Sequence, residues 1–107
     1  MNTTLYISNK HLQMVKEIIK NMYPNSLVWA YGSRVNGDDI SAHEGSDLDL
    51  SVIQFGTENY SISELREAFS SSNIPFLIDI FDYEFLPKVF KDEINKKHFV
   101  IYDGKAL

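Results

Sequence analysis

The sequence contains no cysteine, and its 107 residues include only three prolines, five glycines and one tryptophan. The absence of cysteine excludes disulfides, thiolate metal sites and cysteine nucleophiles, and it is typical of proteins in the reducing cytoplasm. No apolar run approaches the roughly 18 to 20 residues that a membrane span needs. The first residues carry neither a basic patch nor a long apolar stretch. We therefore expect a cytoplasmic protein with no signal peptide and no membrane association.

Basic residues are missing from one long stretch. Between Asn36 and Glu64 there are seven acidic residues and no lysine or arginine, although the whole chain has a net charge of only −5. The remainder of the chain is thus slightly basic. Polyphosphate backbones bind faces that are net positive, so we expect no nucleic acid as a direct substrate. A local acidic stretch is either a solvated loop or a cation site, and the spacing of its acids must decide between these alternatives.

The remaining composition is that of a folded domain. Hydrophobic residues make up 44% of the chain and charged residues 23%. This balance argues against disorder, and the length suits one domain with one modest core. No repeat, low-complexity tract or internal linker interrupts the chain. We therefore predict a single domain over residues 1–107.

Alternating and helical hydrophobic patterns predict the elements of this domain. Apolar residues recur at helical spacing after Ser8 and after Ser61, and Pro87 suits the first turn of a third helix. Strands are expected at 27–31, 47–53, 76–81 and 99–102. The order helix, strand, strand, helix, strand, helix, strand predicts an α/β (α+β) fold, in which about three helices pack on a central mixed sheet of about four strands.

Two acidic residues lie two positions apart at the start of the second predicted strand. Side chains at this spacing point to the same face of a strand, so Asp47 and Asp49 are expected side by side. Two like charges repel at such a distance, and a divalent cation would compensate them. The alternative is that both carboxylates simply face water at a strand start, because the pattern Asp-x-Asp is common.

A third acid, Asp79, interrupts the most apolar segment of the chain, which runs from Phe76 to Phe81. A carboxylate inside such a strand is costly to bury unless it is paired or bound to a metal. The alternative is that this sheet face is open to solvent. Asp82, at the end of the same segment, is better explained by a turn or a helix cap.

The tripeptide Gly32-Ser33-Arg34 ends the first predicted strand. Glycine permits a ligand to approach the backbone closely, and a serine hydroxyl with neighbouring N–H groups can bind an anion. Arg34 adds a cation beside them. Alone, this tripeptide is an ordinary turn. Together with the three strand acids it predicts a phosphate-binding turn facing a carboxylate cation site, the arrangement used for two-metal phosphoryl or nucleotidyl transfer.

The runs Gly32-Ser33, Asp47-Leu48-Asp49 and Ile78-Asp79-Ile80 together resemble the minimal nucleotidyltransferases of the polymerase-β superfamily, the antitoxin-type partners of HEPN-domain proteins. The resemblance covers essentially the whole chain and implies a palm-like fold. It implies that Gly32 and Ser33, with Arg34 beside them, bind the nucleotide triphosphate. It also implies that Asp47 and Asp49 bind two Mg²⁺ ions, and that Asp79 completes the first metal site and helps to activate the acceptor hydroxyl.

The resemblance further implies a reaction and a partner. Many members of this family transfer AMP from ATP to a tyrosine of a HEPN toxin, so we expect an adenylyltransferase antitoxin that works in a hetero-oligomer or homo-oligomer. The rivals are an antitoxin that acts by contact alone and a small-molecule nucleotidyltransferase of the aminoglycoside type. The loop before Asp47 is about three residues longer than usual in the family, and its acidic insert, residues 38–44, could alter nucleotide access or partner contact.

The aromatic and histidine side chains outside these motifs are expected to be structural. Trp29 and Tyr31 are predicted to pack within their strand. The side chains of Phe85, Phe90 and Phe99 are predicted to lie in the core, with a partner-binding patch as the alternative. The three histidines have no spacing suited to metal binding.

Overall fold

The computed structural model describes residues 4–35, 47–56 and 60–106. The acidic insert at 38–44 lies outside them. Along the chain the elements are α1 (Asn9–Met22), β1 (Leu27–Tyr31), β2 (Leu48–Gln54), α2 (Ile62–Ser70), β3 (Ile78–Asp82), a short 3-10 helix (Tyr83–Phe85), α3 (Lys88–Lys96), β4 (Phe99–Asp103) and a final 3-10 helix (Gly104–Ala106). In the part of the chain that is described, none of the helices has both the length and the apolar character needed to cross a bilayer.

Side-chain caps fix the starts of the first two helices, as their sequences predict. The backbone N–H of His11 donates to Ser8 Oγ at 3.2 Å, which satisfies a free donor in the first turn of α1. At the start of α2 the Ser61 N–H donates to Glu64 Oε1 at 2.9 Å, and the Glu64 N–H donates back to Ser61 Oγ at 3.1 Å. This reciprocal pair is a capping box.

The four described strands form one mixed sheet in the order β3-β2-β1-β4. Strand β1 is antiparallel to both β2 and β4, whereas β2 and β3 are parallel and are joined through α2. Three helices on a four-stranded mixed sheet confirm the predicted fold class. Because β1 runs against β2 and β3, the end of β1 lies at the same edge of the sheet as the starts of the other two strands.

One face of this sheet carries the hydrophobic core. Alternate strand residues point to it, among them Ala30, Leu50 and Ile80, which are direct neighbours across three strands and are fully buried. The helices α1 and α2 cover this face. Their contributions to the core are Val15, Ile19, Leu65 and Phe69.

The opposite face carries mixed side chains and is covered in part by α3. The indole of Trp29 stacks on the ring of His98 with centroids 3.7 Å apart and planes at 5°. The Nδ1 atom of His98 lies 2.7 Å from the carbonyl oxygen of Ile94, which is the buried residue of α3. This stack holds the end of α3 against β1, and it agrees with the prediction that Trp29 packs within the sheet.

Two sequence predictions of position are wrong by one or two residues. Strand β2 begins at Leu48, so Asp47 precedes the strand instead of belonging to it. Strand β3 begins at Ile78, so Phe76 and Leu77 lie outside it. The side chain of Phe76 instead packs under the guanidinium of Arg34.

The prediction of a core position is wrong for two phenylalanines. The side chain of Phe85 is 84% exposed and that of Phe90 is 48% exposed, whereas Phe99 packs against the core as predicted. Both exposed rings belong to the stretch from the 3-10 helix to α3, which follows β3 on the second face. Hydrophobicity alone does not reveal whether such a residue faces the sheet or the solvent.

Candidate active site

Three neighbouring strands bring an aromatic and two acidic side chains into one row. Tyr31 of β1 is the register partner of Asp49 of β2, and Asp49 is the register partner of Asp79 of β3. Register partners share a face, and these three side chains point away from the helix-covered core. The row lies at the edge where β1 ends and the other two strands begin. The structure therefore brings two of the three sequence-predicted carboxylates together.

The carboxyl group of Asp49 lies in an environment that opposes its ionisation. Burial, together with the smaller effects of the charges of Asp79 and Asp47, raises its pKa from 3.8 to about 6. An acid with such a pKa titrates close to neutral pH. A cation placed between these carboxylates would stabilise their charged forms and so oppose the shift.

The phenol of Tyr31 responds to the same surroundings. Burial raises its pKa to about 12, with smaller contributions from the charges of Asp49 and Asp79. Tyr31 is therefore neutral at physiological pH. It borders the acidic pair without adding a negative charge to it.

Gly32 follows Tyr31 directly and has a positive φ of 86°. A Cβ atom at this position would lie 2.5 Å from Asp49 Oδ2, so both the backbone conformation and the approach of the carboxylate require glycine. The backbone N–H of Val35 donates to the Gly32 carbonyl oxygen at 3.0 Å and closes the turn. Ser33 lies in this turn and is exposed. The turn therefore lies against the acidic row.

Asp47 stands just before β2, where its side chain is exposed. Its charge still contributes to the raised pKa of Asp49, so the two carboxylates are electrostatically coupled. Within residues 4–35, 47–56 and 60–106, however, no three His, Cys, Asp or Glu side chains converge closely enough to hold one metal ion together. The donor chemistry of the Asp49 and Asp79 oxygens fits a hard divalent cation that takes its other ligands from water or phosphate.

Arg34 lies apart from this row of side chains. Its side chain is only 4% exposed, its Nη1 donates to the carbonyl oxygen of Tyr6 at 2.8 Å, and its guanidinium lies 4.1 Å from the ring centroid of Phe76. The Tyr6 N–H donates to the Arg34 carbonyl oxygen at 2.7 Å. These contacts anchor the N-terminal segment beside the sheet. Nucleotide binding by Arg34 stays a prediction that these contacts do not favour.

A cleft of about 460 Å³ opens beside the acidic row. One wall is formed by Tyr31, Gly32 and Asp49, and the other by α3 and the residue that follows it: Phe90, Glu93, Lys96 and Lys97. Sequence reasoning missed the second wall. The sequence does contain one indication of this wall: two lysines, Lys96 and Lys97, stand at the end of a predicted helix whose apolar side must face the sheet.

Comparison with known proteins agrees with this geometry. The profile of the family described as "Polymerase beta, Nucleotidyltransferase" matches residues 13–106, which includes every described residue of the site. The chain belongs to this nucleotidyltransferase family. The family resemblance inferred from the motifs is thereby confirmed, and the chain is a nucleotidyltransferase.

Two individual proteins extend the comparison. The chain is 36% identical over 100 residues to the "Probable protein adenylyltransferase MntA" of Haemophilus influenzae (strain KW20 / Rd), covering 92% of this chain and 85% of that protein. A solved structure described as "Crystal structure of the toxin-antitoxin with AMP-PNP" superposes with a TM-score of 0.64 over 90% of this chain and 74% of that chain. At 18% sequence identity, the second likeness shows a shared fold.

Proposed function

We propose that this nucleotidyltransferase transfers AMP from ATP to a tyrosine hydroxyl of a HEPN-domain toxin and thereby acts as its antitoxin. The observation that carries the proposal is the Asp49–Asp79 pair, of which Asp49 lies against the Gly32 turn and lines the cleft. Paired carboxylates beside a phosphate-binding turn suit nucleotidyl transfer. The MntA relative, named as a probable protein adenylyltransferase, supports a protein as the acceptor.

The proposed chemistry forms one bond and breaks one. The acceptor hydroxyl oxygen attacks the α-phosphorus of ATP, the bond from that phosphorus to the bridging oxygen of the β-phosphate breaks, and pyrophosphate leaves. The hydroxyl proton passes to a carboxylate oxygen of Asp79. The N–H groups and hydroxyl of the Gly32–Ser33 turn orient the phosphates.

We infer that Asp49 and Asp79, with Asp47 beside them, hold two Mg²⁺ ions when the nucleotide is bound. Such ions would supply positive charge to the transferring phosphoryl group. The raised pKa of Asp49 supports this inference, because it shows that burial, and to a smaller extent the charges of Asp79 and Asp47, disfavour a carboxylate that has no cation beside it. The hard oxygen donors suit Mg²⁺ in particular.

The surface beside the cleft supports a protein acceptor. The side chains of Phe85, Val89 and Phe90 are exposed in sequence order along the 3-10 helix and α3, and Phe90 also lines the cleft. Exposed apolar side chains that continue into a catalytic cleft favour docking of the protein that presents the acceptor. The same surface favours the second candidate, an antitoxin that neutralises its partner by contact alone.

Isotopic labelling separates these two candidates. The purified chain is incubated with a HEPN-domain protein from the same organism, Mg²⁺ and ATP labelled at either the α- or the γ-phosphate. The enzyme requires the α-label, and not the γ-label, to appear on the partner, together with a mass increase of one AMP. If the partner is inhibited while its mass and label stay unchanged, inhibition by contact alone is the function.

A further inference from the structure

The wall of the cleft that contains Gly32 carries fewer cationic side chains than the sequence predicts. Arg34 was expected beside the phosphates, but its guanidinium lies on Phe76 and donates to Tyr6. The wall formed by Tyr31, Gly32 and Asp49 therefore offers no cationic side chain to the cleft. A nucleoside triphosphate nevertheless brings several negative charges to a site that already contains a pair of aspartates.

The opposite wall carries two lysines. Lys96 is the last residue of α3 and Lys97 follows it, and both line the cleft together with Gly32 and Asp49. Both residues are exposed, so a ligand in the cleft can reach them from solvent. A lysine ammonium is a compact charge that binds phosphate oxygens without a fixed geometry.

We propose that Lys96, with Lys97 beside it, binds the β- and γ-phosphates of the nucleotide across the cleft from Gly32 and Asp49. This inference rests on the proposed function, because the α-phosphate is placed at the Asp49–Asp79 pair. The two lysines then also hold the pyrophosphate as it leaves. Glu93, the acid on the same wall, lies one turn of α3 before Lys96 and Lys97 and faces the same cleft.

Binding measurements with three probes test this assignment. Lys96→Gln and Lys97→Gln remove one charge each, and Lys88→Gln is the matched control, because Lys88 lies at the other end of α3 and pairs with Asp92 at 3.0 Å. The probes are ATP, inorganic tripolyphosphate and AMP, followed by titration calorimetry in EDTA and in Mg²⁺. We expect each cleft variant to weaken ATP and tripolyphosphate binding about tenfold, as for a lost charge-assisted hydrogen bond.

The controls make the result specific. AMP lacks the β- and γ-phosphates, so its affinity should change less than about twofold in every variant, and Lys88→Gln should change no affinity by more than that. Lys96→Arg keeps the charge and should retain most of the ATP affinity. Unchanged ATP and tripolyphosphate binding in the double variant Lys96→Gln/Lys97→Gln would overturn the assignment. A wild-type chain that binds ATP but labels no partner would instead refute protein adenylylation and leave the two lysines assigned.

Discussion

The two faces of the sheet are built from the same strands, yet they differ in every property that matters for function. On the helix-covered face Ala30, Leu50 and Ile80 are fully buried between strands and helices. On the other face, one residue along each strand, the neighbours are Tyr31, Asp49 and Asp79. Strand parity therefore places a stabilising core and a destabilising charged row only one sheet thickness apart.

The second face shows the same division along its own length. Trp29 and Ser51 are register partners in its covered part, and their Nε1 and Oγ atoms are buried without a hydrogen-bond partner. Two residues further toward the edge, Asp49 opens onto the cleft. Burial of polar groups without partners costs free energy. This face thus gives up stability in both parts, and the open part contains the binding site that we propose for the nucleotide.

Removal of either carboxylate of the row should have the largest effect on catalysis. We expect Asp49→Asn and Asp79→Asn each to lower the rate of AMP transfer by roughly 10²- to 10³-fold, because each removes charge from the position of the transferring phosphoryl group. Asp103→Asn is the matched control, since this strand carboxylate lies on β4 and accepts from the nearby Lys105 N–H. Single-turnover kinetics with α-labelled ATP measures the three rates. Equal losses in all three variants would contradict a special role for the row.

Substitutions at Gly32 and Gly104 should distinguish an effect on ATP binding from an effect on the stability of the fold. Gly32→Ala forces a side chain against Asp49 Oδ2 at a positive φ, so we expect ATP affinity to fall about tenfold or more, with about 1–2 kcal/mol lost from the free energy of unfolding. In Gly104→Ala the new methyl group would overlap the Pro24 carbonyl oxygen, at the other end of β1 from the row, and should destabilise the chain more. Urea unfolding and ATP titration measure both quantities. Normal ATP binding by a folded Gly32→Ala chain would refute the proposed role of this turn.

The pH dependence of stability should report the charged row directly. Because the pKa of Asp49 in the folded chain is about 6, above its ordinary value of 3.8, the folded state binds more protons than the unfolded state between these values. The free energy of unfolding should therefore fall as the pH rises through this window. After allowance for partial exposure, we expect a loss of about 1–2 kcal/mol for Asp49 alone.

This contribution is isolated by subtraction. Urea unfolding of the wild type and of Asp49→Asn, both in EDTA, is compared at about pH 4 and about pH 7.5, on either side of the titration of Asp49. The difference between the two chains should shift in favour of the variant as the pH rises. A difference that stays constant with pH would show that Asp49 titrates normally.

The smallest effect is expected at the apolar surface beside the cleft. Phe85→Ala should weaken the complex with the acceptor protein by about 1–2 kcal/mol and leave ATP affinity unchanged, because Phe85 does not line the cleft. Leu77→Ala is the control, since Leu77 is 68% exposed and lies before β3 instead of after it. Equal binding of the partner by wild type and Phe85→Ala would show that this surface does not dock the acceptor protein.

Local patterns predicted most of the fold. The capping box at Ser61 and Glu64 and the alternation in β2 depend on residues close in sequence, so the elements they define were found within one or two residues. Both Asp49 and Asp79 were expected to lie on one face of a single sheet, because alternate residues of a strand share a face. Their nearness agrees with that prediction. These features need no knowledge of long-range packing.

The second wall of the site could not be predicted in the same way. The positions of Lys96 and Phe90 depend on how α3 crosses the sheet, and this is decided by distant contacts such as the stack of Trp29 on His98. The direction of the Arg34 side chain depends on the turn after Gly32 and on Phe76, which lies 42 positions later in the chain. Neither contact leaves a local signal.

We infer that the open half of the second face gives up stability in order to bind a metal–nucleotide complex. The order of melting temperatures of the wild type and Asp49→Asn near pH 7.5 tests this inference most directly. In EDTA the variant should melt higher, because a repelling charge has been removed. With Mg²⁺ and ATP in hundredfold excess over Kd, the wild type should gain about 2.7 kcal/mol and melt higher than the variant. If the two chains keep the same order in both conditions, this face does not exchange stability for binding.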